Sequence, residues 1–256
     1  MKNLLITVSA EPSTTLFSEY ADVIILDKDP LGTPVGSYDT AYIRSHFSHP
    51  DMMPQRFKDE INTIVKQLRS ANPSIVFIDG MDDVDAIVAF EDKWNEYQTL
   101  REFMPRTEPI SQAWNISHFH RPIFKRRLSS RGTGIAWSAT EITGDPADWI
   151  VQESISICEE LRIYVIKGEV YPIGAIRQSS TPMSNVTPIG SRALSSDEIE
   201  FSLKVAGAIS SIDMVGLDIA RAHDGALHLI EVNRSPGFLK FFDLTGINLA
   251  SILYAS

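Results

Sequence analysis

The feature that most constrains this fold is a change of texture along the chain. Up to about residue 90, short β-rich apolar runs alternate with helical patterns. Beyond Arg106, strands follow one another with only Gly/Ser/Asp loops between them. "NLLITVS" and "DVIILD" read as strands. "QRFKDEINTIVKQLRSA" places Phe57, Ile61, Ile64, Val65 and Leu68 on one helical face, and "PSIVFIDG" follows as a strand ended by Gly80. Strand, helix and strand in this order predict a parallel sheet with crossover helices. "FEDKWNEYQTLREFMP" reads as one further helical segment, with Phe90, Trp94 and Tyr97 spaced for one face, stopped before Pro105.

The second texture predicts antiparallel pairing. "RPIFKRR", "TGIAWSAT" and "DWIVQESI" are strand-like. "LRIYVIKGEVYPIGAIR" reads as a hairpin turning at Lys167-Gly168-Glu169, and "GLDIARAHDGALHLIEVN" as a second, turning at Asp224-Gly225. Between them "SSDEIEFSLKVAGAISSI" is a helix with a capping-box pattern, Ser195 followed three residues on by Glu198. "GINLASILYAS" reads as a short helix, and "SSTPMSNVTPIGS" is the most loop-like stretch.

Composition narrows the function classes. Lys and Arg number 23 against 33 Asp and Glu, a formal net charge of −10, which argues against a general nucleic-acid binder. A hydrophobic fraction of 43% with 22% charged residues is globular composition. The single cysteine, Cys158, excludes an intramolecular disulfide framework and reads as an incidental thiol of a reducing compartment. No apolar run reaches the length needed to span a bilayer, and the first one reads as a β-strand rather than a signal peptide. The expectation is a cytoplasmic protein with neither nucleic-acid nor membrane partners.

Two clusters carry candidate chemistry. Asp218 lies on the first strand of the second hairpin, and Glu231 and Asn233 lie two apart on its second strand, so their side chains leave one face. If Asp218 shares that face, three oxygen donors converge in a set that suits Mg²⁺ with waters and phosphate oxygens completing its shell. The plainer alternative is a solvated strand face. The other cluster is "KRRLSSRGTGIAW", where Lys125, Arg126, Arg127 and Arg131 crowd a Ser/Gly turn. Glycines let backbone N–H groups approach an anion, and a lysine adds a point charge for phosphate. With a metal triad elsewhere, a metal–triphosphate partner is more economical than a bare charge run. His118 and His120 alternate on a presumed strand and could ligate metal, although surface or packing roles are the simpler reading. Neither a Gly-x-Ser-x-Gly elbow nor a P-loop lysine motif is present.

These stretches together resemble the ATP-grasp ligases, and among them the RimK and glutathione synthetase branch. The resemblance runs over roughly residues 90–256, through "DKWNEYQTL", "FKRRLSSRGTGI", "IVQESI", "EELRIYVIKGEVYPIGAIR", "GLDIA", "LIEVNRSPGF" and "TGINLASIL", with a weaker match of "YDTAYIRSHF" to the family's N-terminal domain. It implies an α/β (α+β) chain. A Rossmann-like pre-ATP-grasp domain spans 1–90 and an ATP-grasp domain 91–256, the latter divided into a lid-bearing subdomain (91–152) and a metal-binding subdomain (153–256). The nucleotide would be held between two antiparallel-sheet subdomains.

The resemblance also implies roles. Lys93 and Lys125 would contact nucleotide phosphates beneath a lid at 129–134 that includes Ser130, Gly132 and Gly134. Gln152, Glu153 and Ile155 would form the hinge whose backbone reads adenine, Glu160 would meet the ribose hydroxyls, and Arg162 lies beside it. Arg177 would face the γ-phosphate and the reacting carboxylate, Asn185 matches an active-site asparagine, and Asp218, Glu231 and Asn233 would hold Mg²⁺ or Mn²⁺. Lys93 as an exposed helix charge and Arg177 as a structural ion-pair partner are the competing readings. Arg126 and Arg127 depart from the family, which often has Pro and a small or apolar residue there. The implied activity is ATP-dependent ligation of a carboxylate to an amine, or to a thiol, through an acylphosphate, with release of ADP and phosphate. The partners would be a small molecule, peptide or protein, and the family's habit suggests a homodimer. A kinase of the same fold and a non-catalytic nucleotide-binding module are the alternatives.

Overall fold

The structure is a computed structural model describing residues 1–28, 36–44, 55–110, 116–129, 133–178, 187–209 and 211–255. Ser130, Gly132 and Asn185 among the candidate site residues, and Arg131 of the basic loop, lie outside the described residues.

The N-terminal part is the expected strand–helix alternation. β1 (Asn3–Thr7), α1 (Thr14–Phe17), β2 (Asp22–Ile25), β3 (Thr40–Ile43), α2 (Gln55–Ala71) and β4 (Val76–Phe77) build an all-parallel sheet in the order β2-β1-β3-β4. Alternation along β1 sends Leu4 and Ile6 to one core, under Phe57, Ile61, Val65 and Leu68 of α2. Leu5 goes to the other side, into a core shared with the rest of the chain. β4 is shorter than the sequence suggests, because the chain bends into a 3₁₀ turn at Ile78–Gly80, with Asp79 at φ 67° and Gly80 at φ 63°.

The segment read as one long helix is two. α3 (Val84–Glu91) stops at Asp92, which takes extended backbone (φ −72°, ψ 117°) and caps α4 (Lys93–Leu100) by accepting from the Trp94 and Asn95 amides. Periodicity alone cannot show this break, because an aspartate that caps the second helix also fits the polar face of a continuous one. Trp94 and Tyr97 do stack, at 5.6 Å, while Phe90 lies on the other helix.

A small antiparallel sheet follows, from β5 (Thr107–Pro109), β6 (Pro122–Arg126), β7 (Ile135–Ala136) and β8 (Trp149–Glu153), in the order β5-β8-β6-β7 over a core of Phe119, Phe124, Trp149 and Val151. His118 and His120 lie in the turn before β6, not on a strand.

The large sheet comprises β9 (Ile157–Ile166), β10 (Glu169–Val170), β11 (Ile173–Gln178), β12 (Thr187–Ala193), β13 (Met214–Ala222) and β14 (Leu227–Asn233), ordered β12-β11-β9-β13-β14 with β10 on β9. α5 (Ser196–Ala208) carries the capping box between Ser195 and Glu198. Leu161, Ile163, Val165, Leu217, Ile219 and Leu229 fill one face of this sheet, beneath α5. The opposite face buries Tyr164 and Ile166 at one end, against α6 (Leu239–Thr245) and α7 (Leu249–Tyr254). At its other end that face carries charge. Among the described residues, no helix is long and apolar enough to cross a membrane.

Candidate active site

The charged end of the large sheet is set by strand register. Asp218 on β13 pairs with Arg162 on β9 and with Glu231 on β14. Arg177 on β11 pairs with Glu160 on β9, and Asn233 pairs with Gly216. All six side chains therefore leave one face of four neighbouring strands. Glu231 reaches that face only because of a bulge: Ile219 pairs with Leu229 but Asp218 with Glu231, which leaves Ile230 as the extra residue. Leu229 thus points into the core while Glu231, two residues on, points to the opposite face.

Contacts within the cluster are dense. Arg162 donates from Nε to Asp218 Oδ1 and from Nη2 to Asp218 Oδ2, both at 2.7 Å. Arg177 pairs with Asp218 as well and with Glu160 Oε1 at 2.9 Å, and Asn233 Nδ2 donates to Asp218 Oδ2 at 3.2 Å. Burial by itself would raise the Asp218 pKa, but the two guanidiniums hold it below the usual carboxylate range. Glu160 moves the other way, pushed up by burial and by the Asp218 charge. For Arg162, burial would favour the neutral form, and the Asp218 charge and hydrogen bonds outweigh it.

Two lysines converge from other elements. Lys93, the first residue of α4, donates to the Ser129 carbonyl and lies 3.3 Å from Glu231 Oε1. Lys125 on β6 donates to Gln152 Oε1 at 2.7 Å, while Gln152 Nε2 donates to Thr107 Oγ1 at 2.9 Å. Burial lowers the Lys125 pKa, and the carboxylates of Glu231, Glu96 and Glu160 partly offset that. Gly134, at φ 67°, closes the described part of the loop after β6, with its carbonyl accepting from the Arg126 amide at 2.7 Å. Of the residues expected at the hinge, Gln152 is the fourth of the five residues of β8. The Glu153 carboxylate accepts from the His120 and Arg121 amides at 3.0 and 2.7 Å, and Ile155 is half-buried between β8 and β9.

The donor set fits a hard divalent cation. Among the described residues, no three His, Cys, Asp or Glu side chains could by themselves hold a metal ion. Asp218 and Glu231 could supply carboxylates and Asn233 an amide oxygen, with phosphate oxygens completing a six-fold shell. The charge balance agrees, since Lys93, Arg162 and Arg177 are each already paired with a carboxylate. A polyphosphate placed among them needs further positive charge. His118 is no part of such a site; its Nε2 lies 3.1 Å from Glu108 Oε2.

Glu96 escapes the sequence reading, which names Arg126 and Arg127 without a role. Arg127 pairs with Asp92, Nη2 to Oδ2 at 2.8 Å, which ties the root of the basic loop to the cap of α4. Arg126 Nη2 lies 4.0 Å from Asp148 Oδ2. Glu96 accepts from the Val232 amide at 2.5 Å, and burial together with the Glu231 charge pushes its pKa up to about 8. "DKWNE" shows an Asp–Lys start, which is the cap signal, but nothing local marks Glu96 as a partner of a strand 136 residues away.

Comparison with known proteins agrees with this geometry. Residues 136–256 match the family model of the RimK-like ATP-grasp domain. No curated protein sequence matches the chain significantly. The whole fold is similar to the ATP-grasp ligase PsnB complexed with minimal precursor, Mg and ADP (TM-score 0.65, 14% identity, 98% of this chain and 94% of that one). It is also similar to the RiPP-associated ATP-grasp ligase of Chryseobacterium gregarium in complex with ADP and a leader and core peptide (0.62, 15%, 99% and 96%). A third likeness is to N5-carboxyaminoimidazole ribonucleotide synthetase of Thermotoga maritima (0.57, 12%, 93% and 69%). A parallel N-terminal sheet followed by two antiparallel sheets is the fold of the ATP-grasp ligases. Residues 136–256 are similar to the RimK-like ATP-grasp domain, and the similar structures share the fold.

Proposed function

We propose that this protein is an ATP-dependent ligase that activates a carboxylate as an acylphosphate and transfers the acyl group to an amine or, as the second option, a thiol. The observation that carries the reading is the single sheet face on which Arg162, Arg177, Asp218, Glu231 and Asn233 stand together, facing Lys93 and Lys125. A carboxylate and a triphosphate repel each other, and the main task of such a site is to hold both while neutralising charge. Lys93 and Lys125 bind phosphate oxygens under the loop that includes Ser130, Gly132 and Gly134. Arg177 orients the carboxylate oxygen that attacks the γ-phosphorus, and Asn185 adds a polar contact there. Asp218, Glu231 and Asn233 would hold Mg²⁺, which supplies charge neutralisation to the phosphates. ADP leaves, and the acceptor then displaces phosphate from the acyl carbon.

The hinge at Gln152, Glu153 and Ile155 takes the adenine and Glu160 the ribose in this reading. The matching division is a pre-ATP-grasp domain over 1–90, a lid-bearing subdomain over 91–152 and a metal-binding subdomain over 153–256. Two of the similar structures hold peptides, described as a minimal precursor and as a leader and core peptide, which supports a peptide as the carboxylate substrate. Phosphorus NMR with Mg-ATP, a pool of carboxylate peptides and a pool of amines tests the reaction. ADP and inorganic phosphate appearing only with both pools is the expected result. A new phosphoester signal would mean a kinase, and unchanged ATP with every pool a nucleotide-binding module.

A further inference from the structure

Glu231 can serve the site only because of the bulge at Ile230, and β14 is an edge strand whose outer side meets no other strand among the described residues. Bulged edge strands are where register is least secured by pairing. Two hydrogen bonds from outside the sheet bracket this bulge. On one side the Leu229 amide donates to the Phe103 carbonyl at 2.8 Å. On the other the Val232 amide, between Glu231 and Asn233, donates to Glu96 Oε1 at 2.5 Å. Both acceptors come from α4 and the turn that follows it. The spacing of the two amides, three residues rather than two, is the signature of the extra residue.

We propose that Glu96 is a positioning residue for the cation site: by holding the Val232 amide it locks the Ile230 bulge and keeps Glu231 and Asn233 turned to the same face as Asp218. The inference rests on the metal assignment made above. Its anchor is firm, because α4 is itself fixed at its start. Lys93 holds the Ser129 carbonyl and approaches Glu231, its amide donates to the Arg127 carbonyl at 3.1 Å, and Asp92 pairs with Arg127. One short helix therefore ties the root of the basic loop to the strand that would carry the cation. That gives Arg127, which the family resemblance leaves unexplained, a place in the same brace.

The test compares cation binding with metal-free nucleotide binding. Mn²⁺ binding in the presence of ADP is followed by loss of the free-ion electron paramagnetic resonance signal. ADP binding in EDTA is followed by calorimetry. Glu96→Ala is expected to weaken Mn²⁺ about 10- to 100-fold, the range for residues that orient metal ligands, and to leave metal-free ADP binding within about twofold. Amide hydrogen exchange at Val232 should accelerate in the same variant, and Glu96→Gln, which keeps an acceptor oxygen, should restore both. Should Glu96→Ala fail to fold, Glu96→Asp is decisive, since its carboxylate is retracted by one methylene and should lose Mn²⁺ affinity where Gln does not. Mn²⁺ binding by the Ala or Asp variant at wild-type strength overturns the proposal alone, and so does an equal loss of Mn²⁺ and metal-free ADP. A wild-type protein that holds no Mn²⁺ with ADP overturns the metal assignment and the proposal together.

Discussion

Asp79 and Asp213 exchange hydrogen bonds across the junction between the parallel sheet and the large antiparallel sheet. The Asp79 amide donates to Asp213 Oδ2 at 2.7 Å, and the Asp213 amide donates to Asp79 Oδ1 at 2.8 Å. Asp79 Oδ1 also accepts from the Met214 amide at 3.2 Å, and its Oδ2 pairs with Arg234 Nη1 at 3.2 Å, both side chains being fully buried. Arg234 follows Asn233 directly and also donates to the Ile43 carbonyl, so this pair joins the end of β14 to the parallel sheet.

Asp79→Ala should therefore destabilise the protein by about 3–5 kcal/mol, because it takes one carboxylate from buried Arg234 and the acceptor from two amides. Asp79 carries a pKa pushed up to about 6 from 3.8, chiefly by burial, with Arg234 opposing. A raised pKa means that the folded state binds the proton more tightly, so this group's contribution declines as pH rises from near 4 through 6 and is constant above. Denaturant titrations across that range should show the decline in the wild type, and Asp79→Asn should lack it.

Glu198 works in the opposite sense. Its buried carboxylate accepts from Arg192 Nη2 at 2.7 Å, from Arg221 Nη2 at 2.8 Å and from the Ser195 amide at 2.9 Å. Burial raises its pKa, and the two arginines and the cap outweigh that, leaving it far below the usual 4.5. Its stabilising contribution is complete above about pH 4.5 and is lost as pH falls below. Glu198→Gln should cost about 3 kcal/mol at pH 7 in urea melts, with the gap to wild type closing in acid.

Arg177→Ala and Glu231→Ala test the candidate site itself. In the proposed reading each removes a charge aimed at the phosphates or the cation, and each should lower turnover by about 10²–10³ with the fold retained. The surviving Arg162–Asp218 pair keeps the sheet face together in the Arg177 variant. Near-wild-type turnover in both would remove the assignment.

Gly134→Ala probes the loop after β6. Its φ of 67° disfavours any side chain, and an added Cβ would lie 2.7 Å from Arg126 Cβ and 3.1 Å from Ser129 Cβ. The Ser129 carbonyl that Lys93 holds would have to shift. We expect a cost of about 1–3 kcal/mol and weaker ATP binding by calorimetry, whereas Gly225→Ala, with nothing within 4 Å, should cost stability without touching ATP affinity.

What the sequence determined by itself is local. The two hairpins turn where Lys167-Gly168 and Asp224-Gly225 put them, with Lys167, Gly168 and Gly225 all at positive φ, because few residues accept that backbone. The capping box at Ser195 and Glu198 forms as its spacing dictates. The pairing of Glu231 with Asn233 on one face follows from strand alternation. Tertiary structure decided the rest. Alternation along "LHLIEVN" would have put Leu229 beside Glu231, and only the demand to bury Leu229 while Glu231 stays accessible selects the bulge between them. The break at Asp92 and the grip of Glu96 on Val232 depend on a strand far along the chain, whose position no local pattern encodes. Turns and caps are set by backbone sterics within a few residues; faces and partners are set by which distant surface is there to be buried against.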